Sequence, residues 1–274
     1  MGYTPEQIRA IAAQLGGAYR RGEVEILNSV VNAQLTDWER ARIIAQQQKI
    51  RDVLDELGEV EDDWSQMHLR PLYTEAVGDV AAATQTAPPA ELSALHETSI
   101  QILGENLATA LDEARATVGR RVDDLFRRAG LANLQRSTIL GQTARDAMQN
   151  MVAQLQEQGI TAFVDVRGAR WNLSTYAEMV ARTTSREATD LGLGNRMAEL
   201  GEDLVQISRH GGECPKCVGA IETHGLIYSI SGTSEEYPSV EEGRAAGLWH
   251  PQCVHVRRPY IERYAQQTAR AGAA

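Results

Sequence analysis

The chain is poor in the residues that usually fill a mixed core. Of 274 residues only 5% are aromatic, and phenylalanine occurs twice. Alanine and leucine take their place, which predicts helices packed closely on small side chains. Lysine is as scarce as phenylalanine, Lys49 and Lys216 against 25 arginines, a bias that base composition explains as readily as function. No apolar run approaches the roughly 20 residues needed to cross a bilayer, so no membrane anchor is expected. Met1 to Arg20 shows no charged stretch followed by a hydrophobic one, so no signal peptide is expected either. Cysteine is limited to three, an odd count that speaks against a disulfide scaffold and for a reducing, cytosol-like compartment. A basic excess is missing as well. Residues 1 to 160 carry 15 basic and 23 acidic side chains, net −8, and the remainder 12 and 14, net −2. Neither part has the charge of a dedicated nucleic-acid binder.

The cysteines that do occur lie within forty positions, as Cys214-Pro215-Lys216-Cys217 and His250-Pro251-Gln252-Cys253-Val254-His255. Zinc prefers thiolate and imidazole, and two ligands three positions apart chelate one ion when a tight turn brings them to the same side. Cys214, Cys217 and Cys253 are the expected ligands, with either His250 or His255 as the fourth. Spacing leaves that choice open, because Cys253 and His255 on an extended strand point to opposite faces unless the backbone bends. His210 and His224 flank the first pair. Two other readings compete: three reduced cysteines buried as small hydrophobes, and a Cys214–Cys217 redox pair, for which the flanking strand and helix of a thioredoxin-like unit are not apparent. Four ligands and no spare cysteine point to a closed, structural site with one zinc per chain.

Along the chain the first 160 residues read as successive helices. Thr4-Pro5-Glu6-Gln7 offers an N-cap, a first-turn proline and a capping-box glutamine. Thr36-Asp37-Trp38-Glu39 repeats the box ahead of a helix of about 20 residues. A further segment runs from Glu61 to Ala83, interrupted by Pro71, and stops before Pro88-Pro89. From Ala90 to Arg128 the seam Leu103, Leu107, Leu111, Ala114, Val118, Val122, Leu125 steps by four and three, the pattern of a long helix in a bundle or an intermolecular coiled coil. Ser137 to Gln158 is expected as another helix, closed by Gly159. Short strands are expected at Thr161–Val166, Asp203–Arg209 and Leu226–Ile230, a helix from Ser174 to about Leu200, and a capped short helix after Ser239. The expected fold is α+β: a helical region over 1–159, a small zinc-stapled α+β domain over 160–264, and a tail over 265–274.

The runs RGARWNLSTYAEMVARTTSREA, GEDLVQISRHGGECPKC, LIYSISG, YPSVEE and GLWHPQCVHVRRPY occur in this order from Arg167 to Tyr260. Over residues 160 to 263 the chain resembles the C-terminal domain of the tailed-phage minor capsid protein 2 family. More distantly it is similar to the Mu F-type minor head proteins, whose signature includes the His-Pro-x-Cys-x-His segment. The resemblance implies a virion protein assembled in the host cytoplasm and acting in head morphogenesis. It also implies that the protein binds the portal protein or the major capsid protein, at the portal vertex or the capsid interior, and assists packaging or ejection of DNA. Any contact with packaged DNA is expected at Arg257, Arg258 and Arg263.

An enzyme is the rival reading. Arg182, the Tyr228-Ser229-Ile230-Ser231 strand and Glu235-Glu236 follow the order Arg, Ser-x-Ser, Glu of ADP-ribosyltransferases, and the paired metal knuckles suit a zinc nuclease. Against the nuclease, no open coordination position or adjacent general base is apparent. No catalytic residue is therefore assigned.

Overall fold

The computed structural model describes residues 3–35, 40–139, 161–165, 168–209, 214–250, 253 and 255–264. It is mostly helical, with a few short strands in two antiparallel sheets. Helix α1 spans Pro5–Leu35. Its capping box forms as the sequence predicts: the Thr4 amide donates to Gln7 Oε1 at 2.7 Å and the Gln7 amide to Thr4 Oγ1 at 3.3 Å.

Helix α2, Arg40–Thr84, is one element of 45 residues with Pro71 inside it, where the sequence suggested two segments. Its buried positions explain the continuity. Ile50, Val53, Leu54, Leu57, Glu61, Trp64, Leu69, Leu72 and Val80 keep one stripe facing inward, and packing along an unbroken stripe outweighs the one hydrogen bond that Pro71 removes. The capping box at Thr36 lies outside the described residues.

Helix α3, Ala94–Ile139, carries the predicted seam. Leu103, Leu107, Leu111, Ala114, Val118, Val122 and Leu125 are all buried against this same chain, so the seam is bundle packing. The helix expected from Ser137 to Gln158, beyond Ile139, and Gly159 lie outside the described residues.

Strands β1, Phe163–Val164, and β2, Arg170–Trp171, pair antiparallel. The six-residue strand expected here is only two residues long because Asp165 turns the chain: its carboxylate accepts from the Ala169 amide and from Trp171 Nε1, each at 2.9 Å, and Gly168 adopts φ 81°. Helix α4, Leu173–Glu199, follows. Glu23 on α1 caps it, accepting from the Ser174 amide at 3.2 Å and from Thr161 Oγ1 at 2.5 Å, a carboxylate at the positive end of the helix.

The remaining elements are β3 Leu204–Ile207, α5 Pro215–His224, β4 Ile227–Ser229, α6 Val240–Ala245 and β5 Arg257–Pro259. The three strands form one antiparallel sheet in the order β4-β3-β5. Along β3, Val205 and Ile207 face inward and Gln206 faces solvent, the alternation predicted from sequence. Ser239 caps α6 with the predicted box, its hydroxyl accepting from the Glu242 amide at 3.1 Å and Glu242 Oε2 from the Ser239 amide at 2.7 Å. None of the described helices is long and apolar enough to cross a membrane.

Two compact units result. One gathers Met1–Ile11, Gln66–Glu105 and Arg182–Ala274, the other Ala12–Ser65 and Asn106–Ala181. The second holds a buried polar network in its apolar interior: Tyr19 Oη donates to Glu61 Oε2 at 2.8 Å and Arg115 Nη1 donates to the same oxygen at 2.7 Å. The first contains a core in which Val205, Ile207, Ile221, Tyr228 and Trp249 pack together with Cys217 and Cys253.

Candidate metal centre

Cys214 is the N-cap of α5 and Pro215 occupies its first turn, which brings Cys217 one turn along onto the same side. The Cys217 amide points at Cys214 Sγ from 3.5 Å. The sequence reading placed only a tight turn at this pair. The signal for the helix was nonetheless present: a proline after the cap, buried Cys217, Ala220 and Ile221 at helical spacing, and Gly225 closing the element with φ 82°.

The other ligands arrive from beyond α6. Trp249 has φ 55°, in the left-handed region that a bulky residue rarely enters. It is held there by edge-on packing against Tyr228 with centroids 5.6 Å apart, and by the Arg257 guanidinium 4.3 Å above its ring. His250 follows directly. Its Nε2 lies 3.2 Å from Cys214 Sγ and 3.5 Å from Cys217 Sγ. The two sulfurs are 3.4 Å apart, and Cys253 Sγ is 3.8 Å from Cys217 Sγ. His255 Nδ1 lies 3.3 Å from Cys253 Sγ. All five expected ligand residues therefore gather, as two triads that share Cys217: Cys214, Cys217, His250 and Cys217, Cys253, His255. His224 belongs to neither triad, and His210 lies outside the described residues.

A tetrahedral zinc ion, with Zn–S about 2.3 Å and Zn–N about 2.0–2.1 Å, needs neighbouring ligand atoms about 3.5–3.8 Å apart. The spacings from Cys217 to Cys253 and His250 fall in that range, and the two from Cys214 are only slightly shorter. The donor types thus suit a metal ion of this kind, and these four spacings are close to what it needs. Electrostatics act in the same sense at two of the ligands. The Cys217 amide at the helix start draws the Cys214 thiol below its ordinary value. Burial, then the Lys216 and Arg186 charges, lowers the His250 pKa and keeps the imidazole in the neutral form that binds metals. Burial pushes the Cys217 thiol up, so a metal must displace its proton.

Of the three arginines expected to meet DNA, Arg257 is turned inward. The register explains why: it stands opposite buried Ile207, whereas Arg258 stands opposite exposed Gln206. Its side chain is 8% exposed and faces Asp190 at 3.6 Å. Arg263 pairs with Glu202 at 2.6 Å. The Ser-x-Ser strand has a structural role, since Ser229 is fully buried with its hydroxyl on Asp203, and the Ser231 amide donates to the same carboxylate at 2.7 Å.

The family model described as phage minor capsid protein 2 matches residues 3–272. The match takes in the long helices as well as the cysteine-bearing part on which the resemblance rested. No curated protein and no solved structure matches the chain. With a family match running from the first turn of α1 past the last strand, the chain belongs to the phage minor capsid protein 2 family.

Proposed function

We propose that this protein is a structural component of a tailed-phage head that associates with the portal vertex and assists head assembly, DNA packaging or ejection. The observation that carries the reading is the family match over 3–272. In this reading the long helices supply the docking surface for the portal or major capsid protein. Residues 160–264 form a part stapled by one zinc ion, with Cys214, Cys217, Cys253 and His250 as ligands. His250 is favoured as the fourth because its Nε2 lies 3.2 Å from Cys214 Sγ and 3.5 Å from Cys217 Sγ. A closed set of four holds a fold together and leaves no position for activating water.

Co-expression with the portal protein of the same phage tests the partner. A complex that survives size-exclusion chromatography is expected, and recovery of the two proteins in separate peaks overturns the portal assignment. Elemental analysis tests the site: about one zinc per chain is expected, His250→Ala should lose it, and His255→Ala should keep it. Folded protein purified without metal refutes the staple.

A further inference from the structure

Arg186 lies on α4, apart from the ligand residues in sequence, yet its Nη1 donates to the His250 carbonyl at 3.2 Å. Next to the ligands is a cavity of about 20 Å³, room for a single water. Arg9, Arg182 and Arg186 line it together with Cys253 and His255. The charges of Arg186 and Arg244 act on the carboxyls of both Glu187 and Asp190, and Arg257 faces Asp190 at 3.6 Å. That group holds one more cation than anion.

An ion of charge +2 bound by three thiolates and a neutral imidazole carries a net charge of about −1. Cys217 and Cys253 are 1% and 6% exposed while Cys214 and His250 are half-buried, so water offsets that charge only in part, and a buried charge without a partner is costly. We propose that Arg186 is the positioning residue of the metal centre: its bond to the His250 carbonyl fixes where the imidazole stands, and its charge compensates the excess of the thiolates. The inference rests on the zinc reading above.

Arg186→Met keeps the length of the side chain and removes charge and donors, while Arg186→Lys keeps the charge and one donor. Zinc affinity is read by competition with a chelator at fixed pH, because thiolate ligation releases protons. Cobalt substitution reports the ligand set through its visible absorption. Met at 186 should weaken zinc binding about 10- to 100-fold, the usual cost of losing an outer partner, and alter the cobalt spectrum. Lys should recover most of the affinity. Wild-type affinity in the Met variant, or a Lys variant as weak as Met, overturns the proposal while leaving the zinc site standing. A wild-type protein that binds neither metal overturns both. If circular dichroism shows that the Met variant has lost its helices, Arg186→Gln carries the same comparison with Lys.

Discussion

Cys217 belongs to both ligand triads and stands within 4 Å of Cys214, His250 and Cys253. Serine there keeps the shape but not the soft donor, so Cys217→Ser should abolish zinc binding and cost on the order of several kcal/mol, because structural metal binding is folding free energy. A melting curve and zinc content equal to wild type would refute this. Gly243 on α6 is a second sensitive position, for steric reasons. A Cβ there would sit 2.7 Å from Tyr228 Cε1 and 2.9 Å from Trp249 Cζ3, two rings already wedged against each other. Gly243→Ala should destabilise by about 1–3 kcal/mol and, by moving Trp249, weaken zinc binding at the adjacent His250. An unchanged thermal midpoint would count against it. The gathering of Cys214, Cys217, His250, Cys253 and His255 was legible in sequence because cysteine and histidine recur there at short spacings. Arg257 was not, since one-letter patterns show charge but not cross-strand partners.

Among the elements, the long helices follow their apolar stripes, but the sequence divided α2 near Glu61 and at Pro71, and it ended the seam helix at Arg128 where the structure carries it to Ile139. Contact between helices is harder to read, because it depends on residues far apart in the chain. At Gly192 on α4, a Cβ would lie 2.4 Å from the Tyr73 carbonyl of α2. One turn along, Asn195 Nδ2 donates to Tyr73 Oη at 2.7 Å. Alanine at 192 would favour the helix by about 1 kcal/mol, yet the clash should make Gly192→Ala less stable than wild type in chemical denaturation. A stabilised variant would mean that the two helices do not approach this closely. The Tyr19, Glu61 and Arg115 network joins α1, α2 and α3, and it should make stability depend on pH. Burial raises the Glu61 carboxyl to about 7, against the opposing effects of the Tyr19 hydrogen bond and the Arg115 charge. A raised carboxyl contributes stability that is fully present below its unfolded value of 4.5 and is lost as pH rises through about 7. Glu61→Gln should therefore gain on wild type between about pH 5 and pH 8, by at most about 3 kcal/mol at 1.36 kcal/mol per pKa unit. A pH-independent difference between the two proteins would show that Glu61 titrates normally.

At the scale of the molecule, the change of texture near residue 160 marks where strands begin, but compactness divides the chain differently. Each unit is assembled from segments far apart in sequence, and each of the four long helices among the described residues contributes to both. Local patterns of hydrophobicity carry no sign of such interleaving, because each helix looks the same whichever neighbours bury its stripe. The consequence for the metal is specific. Cys217 and Cys253 line the core formed by Val205, Ile207, Ile221 and Trp249, so an ion held there would tie α5 and the segment after α6 to the sheet of one unit and close a long loop between them. Chelation should loosen that core first. Hydrogen exchange followed before and after chelation should show faster exchange at the amides of Cys217 to Ile221 and of β3. The seam amides of Leu111 and Val118 in the other unit serve as the internal reference and should keep their protection. Equal acceleration throughout would mean that the metal supports the whole molecule, and no acceleration near Cys217 would mean that the apolar core holds this unit without it.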